Sequence, residues 1–240
     1  MANGRTGFGG PQRPCLLLSV FLACSLWHTI SSKDIQPRCF TDYDSEVVCS
    51  WEVDASTDCP KKFLLRVAAN NRFSGQKKSQ KCSPKNKRGL DVTPKCTCTI
   101  RSDVLNNFKY RFSLEANGKE IWKMTIKDLR KIVKPRQPVN LKLEMGDGGY
   151  ILTWEDGYNE ENILHKNSET DYEVAFWQEG LPEDKARKRM TTDMQLNIAT
   201  GSLMPARIHF AKVRQKNYFV GDTWSDWSIP ISWRTDGWIG

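Results

Sequence analysis

The residues Trp224-Ser225-Asp226-Trp227-Ser228 are the first stretch whose types and spacing invite chemistry. On a pleated strand two indoles three residues apart face opposite ways, because strand side chains repeat every second residue. A polyproline-like turn has three residues per turn and puts both indoles on one side. There they offer flat π faces to cations, guanidinium above all, while the serines bond nearby backbone. The cations are close at hand. In an alternating strand from Ile208 to Arg214, His209, Ala211 and Val213 face a core, so Lys212 and Arg214 face outward and can slot between the indoles. Each such contact contributes about 0.5–2 kcal/mol, enough to fix a surface stack. Lys185, Arg187 and Arg189 alternate in a basic run of their own and are expected to extend it. The plain alternative is a strand with two buried tryptophans.

Catalysis finds no such constellation. The histidines are His28, His165 and His209, and no nucleophile motif, phosphate loop or metal cluster accompanies them. The expectation is a protein that is not an enzyme and needs no cofactor or metal.

The elements that position these residues begin with an export signal. Arg5 and Arg13 precede an apolar run from Cys15 to Trp27, and polar His28-Thr29-Ile30-Ser31-Ser32 follows. That pattern reads as a secretory signal peptide over residues 1–32, with a short membrane anchor as the alternative. No later run is long and apolar enough to cross a bilayer, so the chain as given is expected outside the cell, without a membrane span. Cys15 and Cys24 leave with the signal, and Cys39, Cys49, Cys59, Cys82, Cys96 and Cys98 remain. An even number in an exported chain reads as disulfides. Cys96 and Cys98 share a strand face and so bond to different partners. Cys39–Cys49 is expected, with Cys59 and Cys82 taking one each of Cys96 and Cys98, either way round. A zinc site would need histidine or paired CxxC spacing, and both are lacking.

All six of those cysteines lie before Ile100, so the halves are built differently. In the first, Val47, Cys49, Trp51 and Val53 alternate with polar residues, as do Phe108, Tyr110, Phe112 and Leu114. Asn117-Gly118 supplies a hairpin turn before a strand from Ile121 to Ile126. Lys134-Pro135-Arg136-Gln137-Pro138 then breaks the pattern, since two prolines make a stiff connector rather than a central strand. Alternation resumes with Val139, Leu141, Leu143 and Met145, then Tyr150, Leu152 and Trp154 after a Gly-rich turn, then Tyr172 to Phe176, Met194 to Ile198 and the Ile208 strand. No segment reads as a long amphipathic helix. The fold expected is all-β: two tandem β-sandwiches, residues 33–133 and 134–240, joined by a proline-containing elbow.

The formal net charge of +8 raises the question of polyanions. Lys77, Lys78, Lys81, Lys85, Lys87 and Arg88 lie together with no acid among them, yet without interleaved aromatics for base stacking. A nucleic-acid partner is not expected. A solvated loop is the first reading, and a secreted polyanion-binding, adhesion-type module the lesser one.

Early paired cysteines with Cys49-Ser50-Trp51, a proline elbow, and a second half ending in WSxWS together resemble a type I cytokine receptor ectodomain. The resemblance covers residues 37–234. It extends to Cys39-Phe40-Thr41-Asp42-Tyr43, Cys96-Thr97-Cys98, Ile121-Trp122-Lys123, Leu152-Thr153-Trp154 and Tyr158, which look like the branch of that family that takes interleukin-4-type ligands. An interleukin-21 receptor-like chain, or another type I chain, is the alternative. Departures are His209 where the family usually has tyrosine, Lys212 where arginine is common, no Asn-x-Ser/Thr sequon, and neutral Asn107-Phe108 where an acid is usual. The resemblance implies fibronectin type III-like modules and capture of a four-helix cytokine of the interleukin-4/interleukin-13 type at the elbow. It also implies a second receptor chain, such as the common gamma chain or an interleukin-13 receptor alpha chain. The chain then acts as a soluble binding form, or for signalling at the cell surface if a full-length receptor carries a transmembrane segment beyond Gly240. Loops carry function on a rigid sandwich. The expected ligand contacts are therefore Asp42, Tyr43, Asn107, Phe108, Tyr158, Tyr218 and Phe219, with residues 224–228 a structural signature beside them.

Overall fold

A computed structural model describes residues 35–71, 74–89, 92–101, 108–166 and 169–237. The expected signal peptide, residues 1–32, lies outside the described residues, as does Asn107.

The expected pair of fibronectin type III-like sandwiches is what forms. In the first half one antiparallel sheet runs in the order β1 (Arg38–Thr41), β2 (Glu46–Glu52), β6 (Val92–Arg101), β5 (Lys85–Gly89). The facing sheet runs β4 (Lys77–Cys82), β3 (Phe63–Asn71), β7 (Phe108–Ala116), β8 (Lys119–Ile126). In the second half, β9 (Val139–Gly146), β10 (Gly149–Glu155) and β13 (Gln195–Ala199) form one sheet. The other runs β12 (Arg187–Thr191), β11 (Thr170–Gln178), β14 (Ile208–Asn217), β15 (Ile231–Arg234). The helices among the described residues are single turns, of which α1 (Cys59–Lys62) and α2 (Ile163–Lys166) are the α-helical ones.

Alternation explains each layer. Leu65, Phe112 and Leu114 fill the first core from β3 and β7, and Trp51 of β2 meets Phe63 edge-on at 5.6 Å. Leu152, Val174 and Val213 fill the second, where Trp154 and Tyr172 make a similar contact at 5.4 Å. Asn117 and Gly118, with φ of 50° and 76°, turn β7 into β8 by the left-handed pair that a two-residue hairpin requires. At Gly149 a Cβ would lie 2.4 Å from the Ile198 carbonyl oxygen, so β10 and β13 can pass each other only because the residue is glycine.

The six cysteines pair as Cys39–Cys49, Cys59–Cys96 and Cys82–Cys98. The last bond corrects one expectation. The basic run from Lys77 is not a loop but two strands, because β4 pairs with β3, β5 pairs with β6, and Cys82–Cys98 ties the two sheets together there. Polar side chains suit edge strands that bury little, so their apolar pattern is silent.

Candidate functional site

The elbow is built around Arg136. Its two flanking prolines are buried and fix the connector's direction. The guanidinium donates from Nε and Nη2 to Asp42 Oδ2 at 3.1 and 2.7 Å, and from Nη2 to Asp44 Oδ2 at 2.6 Å. Asp42 is itself fixed, because its Oδ1 accepts the backbone N–H groups of Asp44, Ser45 and Glu46 at 3.0–3.1 Å. Burial pushes the Asp42 carboxyl up, but the Glu46 N–H and the Arg136 guanidinium outweigh it and hold the group below the ordinary range. Tyr158 lies under Arg136, 5.2 Å from ring centre to guanidinium carbon. Its hydroxyl accepts from Arg136 N at 3.0 Å and donates to the Asp42 carbonyl oxygen at 2.9 Å. Burial pushes that phenol well above its ordinary value, so it remains protonated and donating. Gly157 adopts φ of 78°, and a Cβ there would lie 2.8 Å from the Gln137 carbonyl oxygen.

Further contacts make the joint continuous with the second module's sheet. Asn162 donates to Asp44 Oδ1 at 3.1 Å. Gln215, buried on β14, donates from Nε2 to the carbonyl oxygens of Arg136 at 2.8 Å and Asp156 at 2.6 Å. Leu164 and Val220, both from the second half, are buried in the first half's core cluster. Ion pair, hydrogen bonds and apolar contact thus coincide at one place.

The opposite face of β14 carries the stack. Lys212, Arg214 and Lys216 alternate outward, and residues 224–228 fold back over them. Lys212 Nζ sits 4.5 Å from the Trp227 ring centre, Arg214 Cζ 4.6 Å from both Trp224 and Trp227, and Lys216 Nζ 5.2 Å from Trp224. Ser225 and Ser228 hold the register twice each. The Ser225 Oγ accepts from Gln215 N at 2.9 Å and the Ser228 Oγ from Val213 N at 3.0 Å. Their own N–H groups donate to the Gln215 and Val213 carbonyl oxygens at 2.8 Å. Glu173 pairs with Arg214, and Glu183 with Lys212, so the half-buried guanidinium and the buried ammonium are compensated.

The stack is longer than expected, and in a different direction. Trp177 extends it from Lys212 at 5.7 Å and Tyr218 from Lys216 at 4.6 Å. Lys185, Arg187 and Arg189 do not extend it. The β11–β12 register sets Arg187 and Arg189 opposite Phe176 and Val174, on the other face; Lys188 shares the stack's face and pairs with Glu173 at 3.3 Å. Strand alternation through residue 217 would have revealed Lys216, whereas Trp177 and Glu173 are brought in by pairing across β11.

The expected contact residues divide by exposure. Tyr43 is 4% exposed at φ of 60°, so it lies inside the first core rather than on the surface. Asp42 and Tyr158 use their polar atoms on the joint, which corrects them from open surface to the elbow's framework. Asn162 and Gln215, which hold that framework, were not foreseen. Phe108 begins β7, and its side chain is outside the described residues. Phe219 is half-buried beneath Arg130, 5.8 Å from guanidinium carbon to ring centre. Tyr218 is 47% exposed, and its hydroxyl donates to Asp171 Oδ2 at 2.6 Å. His209 is buried and donates to the Met204 carbonyl oxygen at 3.0 Å, so a histidine fills that core position with its polar atom satisfied.

Comparison with known proteins agrees with this architecture. Residues 34–132 match the family model "Interleukin-4 receptor alpha chain, N-terminal". The chain is 30% identical over 197 residues to the horse (Equus caballus) interleukin-4 receptor subunit alpha, covering 81% of this chain and 23% of that protein. It is 25% identical over 201 residues to the mouse (Mus musculus) subunit, covering 82% and 24%. It therefore spans about a quarter of the length of these relatives. Among solved structures, "Cytokine receptor complex - Crystal form 1A" shares the fold with a TM-score of 0.52 at 19% identity, covering 86% of this chain and 98% of that one. With its disulfide framework, paired sandwiches and WSxWS stack, this chain is similar to the interleukin-4 receptor alpha subunits, and its first module matches the N-terminal model of that family.

Proposed function

We propose that the chain is a ligand-binding receptor subunit that captures a four-helix cytokine of the interleukin-4/interleukin-13 type at the elbow. The bound cytokine then recruits a second receptor chain, such as the common gamma chain or an interleukin-13 receptor alpha chain. The subunit acts outside the cell, as a soluble binding form or at the cell surface within a longer receptor. It performs no catalysis. The observation that carries this reading is the exposed Tyr218, held by Asp171 and the Lys216 cation just past the end of β14, next to Phe219, which meets Arg130 of the first module. A pre-oriented tyrosine with an acid beside it is hot-spot chemistry for a protein partner, and this seat lowers the ordering cost of binding. Phe219, Asn107 and Phe108 remain proposed ligand contacts with it, while Asp42 and Tyr158 hold the joint between the modules.

The test is surface plasmon resonance of the secreted chain, with its three disulfides intact, against interleukin-4, interleukin-13 and interleukin-21. Tyr218→Ala should weaken binding roughly thirtyfold, about 2 kcal/mol, with an unchanged melting temperature. Unchanged affinity would remove Tyr218 from the site, and failure to bind any of the three would overturn the cytokine reading.

A further inference from the structure

The outer face of the sheet β4–β3–β7–β8 lies away from the core and takes no part in the elbow contacts described above. Register decides which of its basic residues meet. Lys77, Ser79 and Lys81 of β4 lie opposite Asn70, Ala68 and Arg66 of β3. These in turn lie opposite Lys109, Arg111 and Ser113 of β7, and the row continues to Thr125 and Lys123 of β8. Lys78 and Gln80 point to the other side. Pairing of the strands therefore gathers onto one face cations that are scattered in sequence from Arg66 to Lys123.

Two carboxylates answer six cations. Glu115 pairs with Arg66, and Glu120 meets Arg111 at 3.4 Å and Lys123 at 3.8 Å. Among the described residues Lys77, Lys81 and Lys109 enter no salt bridge, Lys81 feeling Glu115 only at longer range, and all three are exposed. Lys81 stands directly opposite Arg66, a like-charge cross-strand neighbour that costs the isolated sheet stability. Strand spacing places Lys77 about 13 Å from Lys81 along β4, and about 10 Å from Lys109 across the sheet. Lys85 and Lys87 of β5 continue the positive band around the sandwich edge, where Cys82–Cys98 holds β4 to the other sheet.

From this grid we infer a binding surface for a linear sulfated polysaccharide. The face spans four strands and is rich in flexible ammonium groups, which suits a chain of sulfates that neutralises several charges at once. The described side chains of its rows include no aromatic residue on which a nucleic-acid base could stack. They also carry no large apolar wedge of the kind that seats a protein on a lipid surface, since Trp122 and Met124 belong to the inward face of β8. This surface stands apart from the elbow and does not depend on the cytokine reading.

The experiment measures binding of the intact chain to a heparin dodecasaccharide by isothermal titration and on a heparin column across a salt gradient. Binding should be present at 0.15 M salt, where charges more than about 8 Å apart are screened, and should weaken steeply as salt rises. Lys77→Glu with Lys81→Glu and Lys109→Glu should lower affinity at least about tenfold, and Lys→Gln at the same positions by less. A control with the same charge change in the second module, Lys142→Glu with Lys166→Glu and Lys185→Glu, should change it little. Near-ultraviolet circular dichroism reports that each variant is folded; if the glutamate variant is not, the glutamine variant decides, and unchanged binding by it overturns the surface. Equal loss in variant and control reduces the effect to net charge and overturns the proposal. So does the absence of binding at 0.15 M salt, or binding of phosphatidylserine vesicles or a single-stranded oligonucleotide as tight as that of heparin.

Discussion

Two strands occupy corresponding places in the two modules and carry the same outward alternation of cations, with opposite outcomes. On β7, Lys109 and Arg111 face solvent, across β3 from the lysines of β4, and few carboxylates answer them. On β14, Lys212, Arg214 and Lys216 are roofed by indoles and underpinned by Glu173 and Glu183. The first module leaves its charge available and relies on covalent cross-links. The second, with no cysteine, converts its charge into structure. Cation alternation alone therefore does not say whether a face binds or stabilises; what the returning chain lays over it does.

The largest separation of the two modules should come from the disulfides. Replacing Cys59 and Cys96 by alanine removes a buried bond that closes 37 residues, and chain entropy assigns it about 3–4 kcal/mol. Secretion should fall sharply, and chemical denaturation of the recovered protein should show an early first-module transition with the tryptophan signal of residues 224–228 retained. Simultaneous loss of both modules would break the comparison. In the second module, Arg214→Ala leaves Glu173, 7% exposed, without its main partner, and should cost about 3 kcal/mol in urea unfolding. Arg214→Lys should recover part of that, because lysine keeps the charge but not the planar fork.

Ser228→Ala is a smaller perturbation. It strips the side-chain acceptor from Val213 N while leaving the Ser228 N–H bond to Val213 intact, and should cost about 1–2 kcal/mol with the stack's near-ultraviolet dichroism reduced rather than lost. The smallest expected effect is acid loosening of the elbow that joins the modules. The Asp42 carboxyl lies below its ordinary value of 3.8 when folded, so the unfolded chain binds that proton more readily. Its stabilisation is complete above the ordinary value and drains away as pH falls through the folded one. Small-angle scattering should give a constant radius of gyration from pH 8 to 5 and an increase below about pH 4. An increase already at pH 6 would point away from Asp42.

Most of the fold was legible because strand alternation and turn residues are local signals. Val47 to Val53, Phe108 to Leu114 and Ile208 to Arg214 announce their faces, and each forms the strand its pattern predicts. The edge strands β4 and β5 were not legible, since little of them is buried and their pairing depends on β3, β6 and a disulfide. At the site, the stack of Lys212 and Arg214 with the two tryptophans was readable from spacing. Whether Asp42 and Tyr158 face a ligand or each other was not. That depends on Arg136 arriving between them, from 94 residues beyond Asp42, which no local pattern encodes.

The double bonding of Ser225 and Ser228 to β14 has one more consequence. β15 covers β14 only from Ile208 to Ala211, so Val213 and Gln215 would otherwise offer free backbone donors and acceptors on a sheet border. Such a border is a template for another chain's strand, and crowded secretion is where it would be found. By occupying those groups without presenting a strand of its own, the tryptophan–serine segment denies the next molecule a place to pair. Its loss should therefore appear as self-association during export, before any ligand is met.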